Sequence, residues 1–122
     1  MSVPYGDDYE PPAPVLDLAI VSPRNCAGRV RIRALVDTGS DGTILECGIA
    51  AQIGLPFLGY VQVRGIHGRS ESAPVLRAII EMPPYRFETI VAELGAETIL
   101  GRDILNRLSL RLDGPKLQLS LS

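Results

Sequence analysis

Tryptophan is absent, and aromatic residues make up only 5% of the chain. That leaves too little stacking surface for a platform that binds single-stranded nucleic acid. Cysteine occurs only as Cys26 and Cys47, so at most one bridge could form, and there is no CxxC pair or Cys/His cluster for zinc. The expectation is two reduced thiols standing in as small apolar side chains. His67 is the single histidine, and one imidazole does not make a metal site. No apolar run approaches the ~18 residues that a membrane helix needs. A formal charge of −2 and a pI near 5.3 supply no positive surface for phosphate binding as the main function. The first residues, MSVPYGDDYEPPAP, are acidic and Pro-rich, the reverse of a basic, apolar signal peptide. The expectations are a soluble, cytoplasmic protein with no nucleic acid, membrane, metal or cofactor.

What is present is enough for one folded domain. The chain has 122 residues, 46% of them hydrophobic and 21% charged, so a core can form. Gly 12 and Pro 10 imply short elements joined by many turns. Residues 1–14 carry Pro4, Pro11, Pro12 and Pro14, which lack backbone donors, and read as a flexible acidic tail before a domain at 15–122. Strands are expected at 15–21 and at 29–36, where Arg31 and Arg33 alternate with Val30 and Ile32 before a continuous apolar stretch. Further strands are expected at 43–45, 60–64, 73–82, 85–93 and 98–100. Short helices are expected at 46–53, stopped by Gly54, and at 102–108. Leu108, Leu110, Leu112 and Leu117, Leu119, Leu121 alternate on both sides of Asp113-Gly114-Pro115, the pattern of a hairpin. The fold class is mostly β with one or two short helices.

Asp37 stands where the apolar run Ala34-Leu35-Val36 ends in the polar turn Asp37-Thr38-Gly39-Ser40-Asp41-Gly42. A carboxylate there can accept backbone N–H groups and remain ionised. Gly39 would admit a positive φ or a close approach by a ligand. A D-T-G triplet alone is equally the composition of a capped turn.

The wider segment decides between these. ALVDTGSDGTILE at 34–46 resembles the active-site segment of the retropepsins, the retroviral-type aspartic proteases: two apolar residues, Asp-Thr-Gly-Ser, Asp, then a Thr-apolar-apolar strand. Ile99-Leu100-Gly101-Arg102, followed by an apolar helical stretch, resembles that family's second segment. Gly65-Ile66-His67-Gly68 lies between them, where the family has its β-hairpin flap. The resemblance implies a closed β-barrel or sandwich with a flap and an aspartic endopeptidase activity on protein or peptide substrates. It implies that Asp37 is catalytic, that the Thr38 hydroxyl braces the two active-site loops of a dimer, and that the Gly39 carbonyl accepts from bound peptide. It places Asp41 on substrate backbone and in a pair with Arg102, with Ser40, Gly101 and Arg102 supporting the site. Gly65, Ile66, His67 and Gly68 would meet substrate at the flap tip. His67 departs from the usual small or apolar flap residues, and Gly42 stands where some relatives have a second acid. Ile44, Ile66 and Ile99 are subsite candidates that composition alone would place in the core.

The stoichiometry of carboxylates adds a partner. This chemistry needs two aspartates sharing a proton, and one chain supplies one D-T-G. A homodimer with an Asp37 from each copy at its twofold axis meets the need. The competing reading is a non-catalytic peptide-binding or dimerisation module on the same fold.

Overall fold

Alternating and continuous apolar runs form the framework, and the Gly- and Pro-rich intervals turn it. The computed structural model describes residues 1–65 and 68–122. In chain order these residues form β1 (Ser2–Pro4), β2 (Val15–Val21), β3 (Arg29–Val36), β4 (Ile44–Leu45), α1 (Ile49–Ile53) and β5 (Phe57–Arg64). Then follow β6 (Ser70–Met82), β7 (Tyr85–Glu93), β8 (Ile99–Leu100), α2 (Arg102–Leu105), β9 (Leu110–Asp113) and β10 (Gln118–Leu121). The architecture is mostly β, as expected.

The strands form a sheet of order β2-β3-β8-β4-β7-β6-β5 and a smaller sheet of order β1-β10-β9. Strand β2 also pairs with β6, Ile20 lying opposite Ile80. These pairings bend the larger sheet round on itself, but β4 and β8 meet through the one pair Ile44 and Ile99. With so narrow a join, and with β5 outside the circuit, the expected closed barrel is not fully formed. The core lies inside the bend. Ile20, Leu45, Ile80, Leu100, Ile104 and Leu119 are completely buried there, each contributing on the order of 2 kcal/mol. Strand β3 shows how sequence becomes position: Arg29, Arg31 and Arg33 stay outside, then Ala34 and Val36 sink into the core.

Three expectations need correction. The segment expected as a flexible tail is tied into both sheets. Ser2–Pro4 pairs with β10, Gly6 bridges Ala13, and the Pro14 carbonyl accepts the Val36 N–H at 3.0 Å. Proline cannot donate, but it can accept, and Pro4 sits in an edge strand where a missing donor is tolerated. The hairpin leucines are not equivalent: Leu119 and Leu121 are buried, whereas Leu117 has φ 51 and belongs to the turn. Cys26 and Cys47 are free and exposed, not small core residues. Among the described residues, no helix is long and apolar enough to cross a membrane.

Candidate active site

Strands β3 and β8 run parallel, side by side, with Leu35 opposite Ile99 and Val36 opposite Leu100. Both apolar runs therefore leave the core at the same level, and the polar residues after each become neighbours. The Asp37 N–H donates to the Leu100 carbonyl at 3.1 Å, which fixes Asp37 at the exit of β3. Its Oδ1 accepts the Gly39 N–H at 2.9 Å, and its carbonyl accepts the Ser40 N–H at 3.2 Å. The Ser40 hydroxyl donates to the Gly42 carbonyl at 2.7 Å and closes the loop. Asp37 is partly exposed. Among the described residues, its Oδ2 has no hydrogen-bond partner and no cation pairs with it.

Arg102, at the start of α2, holds this loop at three points. Its N–H donates to the Ser40 carbonyl at 2.9 Å, its Nη1 donates to the Thr38 carbonyl at 2.7 Å, and its Nη2 pairs with Asp41 Oδ1. Asp41 is 94% exposed, so the ion pair adds little stability. Its effect is geometric: one guanidinium fork fixes two residues of the turn.

Beneath the loop lies a second brace that the sequence did not disclose. Thr43 is buried, and its Oγ1 accepts the Gly101 N–H at 3.2 Å while donating to Asp103 Oδ1 at 2.9 Å. The only local signal was a threonine leading an apolar strand. Gly101 is required by contact, not by backbone conformation. Its φ is −94, yet a Cβ there would lie 2.3 Å from the Gly42 carbonyl oxygen. The two turns are packed backbone to backbone.

Beside the loop is a groove of about 500 Å³. Gly39, Asp41 and Ile44 form one wall, and Val63, Val75 and Ile90 are among its apolar lining. Asp37 stands just outside it. Strand β5 lines the same groove as far as Arg64; just beyond it the Gly65 N–H donates to the Arg69 carbonyl at 3.0 Å and the Gly68 N–H to the Gly65 carbonyl at 3.1 Å. Gly68 has φ 75, a value that favours glycine. Ile66 and His67, expected at this tip, lie outside the described residues.

No family model matches the chain, and no curated protein matches it by sequence. Solved structures do match. A retropepsin-like aspartic protease from Rickettsia conorii aligns with a TM-score of 0.66 at 20% identity, over 99% of this chain and 88% of that one. The EIAV protease, solved with the inhibitor HBY-793, aligns with a TM-score of 0.62 at 22% identity, over 78% of this chain and 86% of its own. The chain has the retropepsin fold. The retroviral protease-like domain of Ddi1 from Leishmania major also aligns, with a TM-score of 0.51 at 18% identity over 88% of each chain.

On this retropepsin fold the two diagnostic segments do converge: Asp37, Thr38, Gly39, Ser40 and Asp41 form one loop, and Gly101 and Arg102 pack against it. The expected Asp41–Arg102 pair is present. Gly65 and Gly68 lie between β5 and β6, next to Arg64, which lines the groove. Gly39 differs from expectation, because its φ is not positive. A Cβ on it would lie 3.1 Å from Asp37 Oδ1, so what glycine supplies is room for the carboxylate to cap its own turn. Ile44 lines the groove; Ile99 does not. Among the described residues, no group of three or more His, Cys, Asp or Glu is placed to hold a metal.

Proposed function

We propose that the chain is an aspartic endopeptidase that acts as a homodimer, with one Asp37 carboxyl from each copy forming the catalytic pair. The observation that carries this reading is the state of the loop carboxylates. Asp41 is engaged by Arg102 and Asp103 by Thr43, whereas Asp37, among the described residues, keeps Oδ2 free at a partly exposed strand exit. A lone carboxylate can take a proton from water but has no second acid to protonate the substrate carbonyl. Two carboxyls at hydrogen-bond distance share one proton, because both cannot ionise comfortably. The ionised member then removes a proton from water, whose oxygen attacks the peptide carbonyl carbon. The protonated member gives its proton to the carbonyl oxygen, forming a gem-diol. Collapse of the gem-diol with proton transfer to nitrogen breaks the C–N bond and releases an acid and an amine.

The other residues follow from position. The Thr38 hydroxyl braces the two loops, the Gly39 carbonyl accepts from substrate backbone, and Asp41 offers its remaining oxygen to a peptide N–H. The groove walled by Ile44, Val63, Val75 and Ile90 takes an apolar side chain. The chain between β5 and β6, at Gly65 and Gly68, closes over the bound peptide and excludes water.

The test is cleavage of a peptide library across pH by wild type and Asp37→Asn. Asparagine preserves shape and removes the acid–base function, so turnover should fall by at least about 100-fold with unchanged melting temperature. Undiminished cleavage by a verified Asp37→Asn preparation would overturn the assignment. Peptide binding without cleavage by wild type would instead indicate a non-catalytic module.

A further inference from the structure

Strand β5 ends the larger sheet. It pairs with β6, and among the described residues no strand lies on its other side. The Gly65 N–H donates to the Arg69 carbonyl, which marks these two as a hydrogen-bonded pair of the antiparallel ladder. Alternation back along the register gives the backbone groups of Val61 and Val63 to β6 and turns those of Tyr60, Gln62 and Arg64 to the free edge. Free edges are ordinarily blunted by proline, by charges or by a bulge. Between Tyr60 and Arg64 there is no proline, and Arg64 is the one charge. The irregularity in the register lies earlier, between Phe57 and Gly59.

Side chains mark the same strand. Among the described residues eight large apolar side chains are exposed, and four of them, Phe57, Leu58, Tyr60 and Val61, fall within five consecutive positions. One exposed apolar residue needs no explanation, but a contiguous run of them does. Tyr60 is 72% exposed, and its ring meets that of Phe57 edge to face at 5.3 Å. Val61, Gln62, Val63 and Arg64 also line the groove beside the Asp37 loop, so free edge and groove share one strand.

We infer that the free edge of β5 takes, as an added strand, an extended apolar segment of the protein substrate lying outside the groove. This deepens the proposed protease by giving it a second contact with its substrate, and it rests on that reading for the identity of the partner. A peptide bond enters the groove only from chain that has left its own sheets and helices. The flanking residues therefore arrive with unpaired N–H and C=O groups. The β5 edge offers matching groups at Tyr60, Gln62 and Arg64, while the rings of Phe57 and Tyr60 cover apolar side chains beside them. A second copy on this edge would instead occupy the strand that walls the groove, in competition with the substrate.

Kinetics on long and short substrates test it. Casein serves as the long substrate, and a library peptide of about six residues, roughly 20 Å when extended, as the short one. Tyr60→Ala should raise KM for casein by about tenfold, leaving kcat and both constants for the short peptide as in wild type. Tyr60→Pro also removes the outward N–H without touching the bonds to β6, and should weaken casein by about a further tenfold. Should Tyr60→Pro misfold, amide exchange in Asp37→Asn replaces it: casein should slow exchange at Tyr60, Gln62 and Arg64 by at least about tenfold. Folded Tyr60 variants that handle casein as wild type does, equal losses on both substrates, a proline no worse than alanine, or amides indifferent to casein would overturn the docking edge. Binding of labelled casein to Asp37→Asn, with and without Tyr60→Ala, separates the two proposals. Binding that falls with Tyr60→Ala while wild type cleaves nothing supports the edge and refutes the protease. Casein cleavage indifferent to Tyr60 does the reverse.

Discussion

Replacing Gly101 with alanine probes the contact on which the site geometry depends. The new methyl would lie 2.3 Å from the Gly42 carbonyl oxygen, 2.5 Å from its carbon and 3.0 Å from its Cα. Carbon and oxygen settle no closer than about 3.3 Å, so one backbone must move by roughly 1 Å. Neither is the end of a flexible side chain. Gly101 has φ −94 and ψ −175, values open to alanine, so the cost is steric alone. Overpacking of this kind costs about 1–3 kcal/mol, and displacing the turn also strains the Gly101 N–H bond to Thr43, worth about 1 kcal/mol. A loss of about 3 kcal/mol in a domain of this size lowers the melting temperature by roughly 10–15 °C. Calorimetry or circular dichroism would read it. Gly42→Ala is the control, because a Cβ on Gly42 meets nothing within 4 Å; it should melt within about 2 °C of wild type. A Gly101→Ala protein as stable as wild type, or a Gly42→Ala protein equally damaged, would refute the close-packed reading of these two turns.

Arg102→Lys should leave the melting temperature within about 3 °C, since the pair is exposed, yet reduce peptide cleavage by roughly 10- to 100-fold. A single ammonium cannot hold the Thr38 carbonyl and Asp41 together; full activity in kinetic assays would contradict this. Tyr9 donates its hydroxyl to Glu97, and that hydrogen bond, with burial and the nearby carboxylate charges, pushes its pKa from 10.0 up to about 12. The protonated phenol is therefore the form that folding favours. Its stabilisation is complete below pH 10 and is lost as pH rises through about 12. Wild type should exceed Tyr9→Phe in denaturant stability at pH 8, with the gap closing over that alkaline range. A pH-independent gap would count against the tether.

The elements legible in the sequence are those whose pattern is local. Val15–Val21, Arg29–Val36 and Tyr85–Glu93 appear at the expected positions because apolar runs and alternation specify strands without reference to distant partners. Gly54 ends α1 with φ 70, as its place after an apolar pair implied. The loop at 37–42 and its Arg102 clasp were legible through motif resemblance, not through physical pattern. What escaped depends on partners far along the chain. Ser2–Pro4 joins β10 across more than a hundred residues, and its prolines read as exclusion until the sheet edge is known. Strand β5 begins at Phe57, before the expected 60, because β6 offers Leu76 as a partner past an irregularity in the register. The brace of Thr43, Gly101 and Asp103 was invisible because each residue alone has an ordinary local role. Leu117 kept the hairpin's alternation in sequence, yet its φ of 51 places it in the turn.

The central claim is that two Asp37 carboxyls, one from each copy, make one site. Mixing wild type with Asp37→Asn at fixed total concentration, and allowing subunits to exchange, tests it directly. If both carboxyls are required, only dimers of two wild-type chains cleave, and a one-to-one mixture retains about a quarter of the activity. Retention of about half, falling linearly with the wild-type fraction, would show that each chain carries a complete site and would contradict the account.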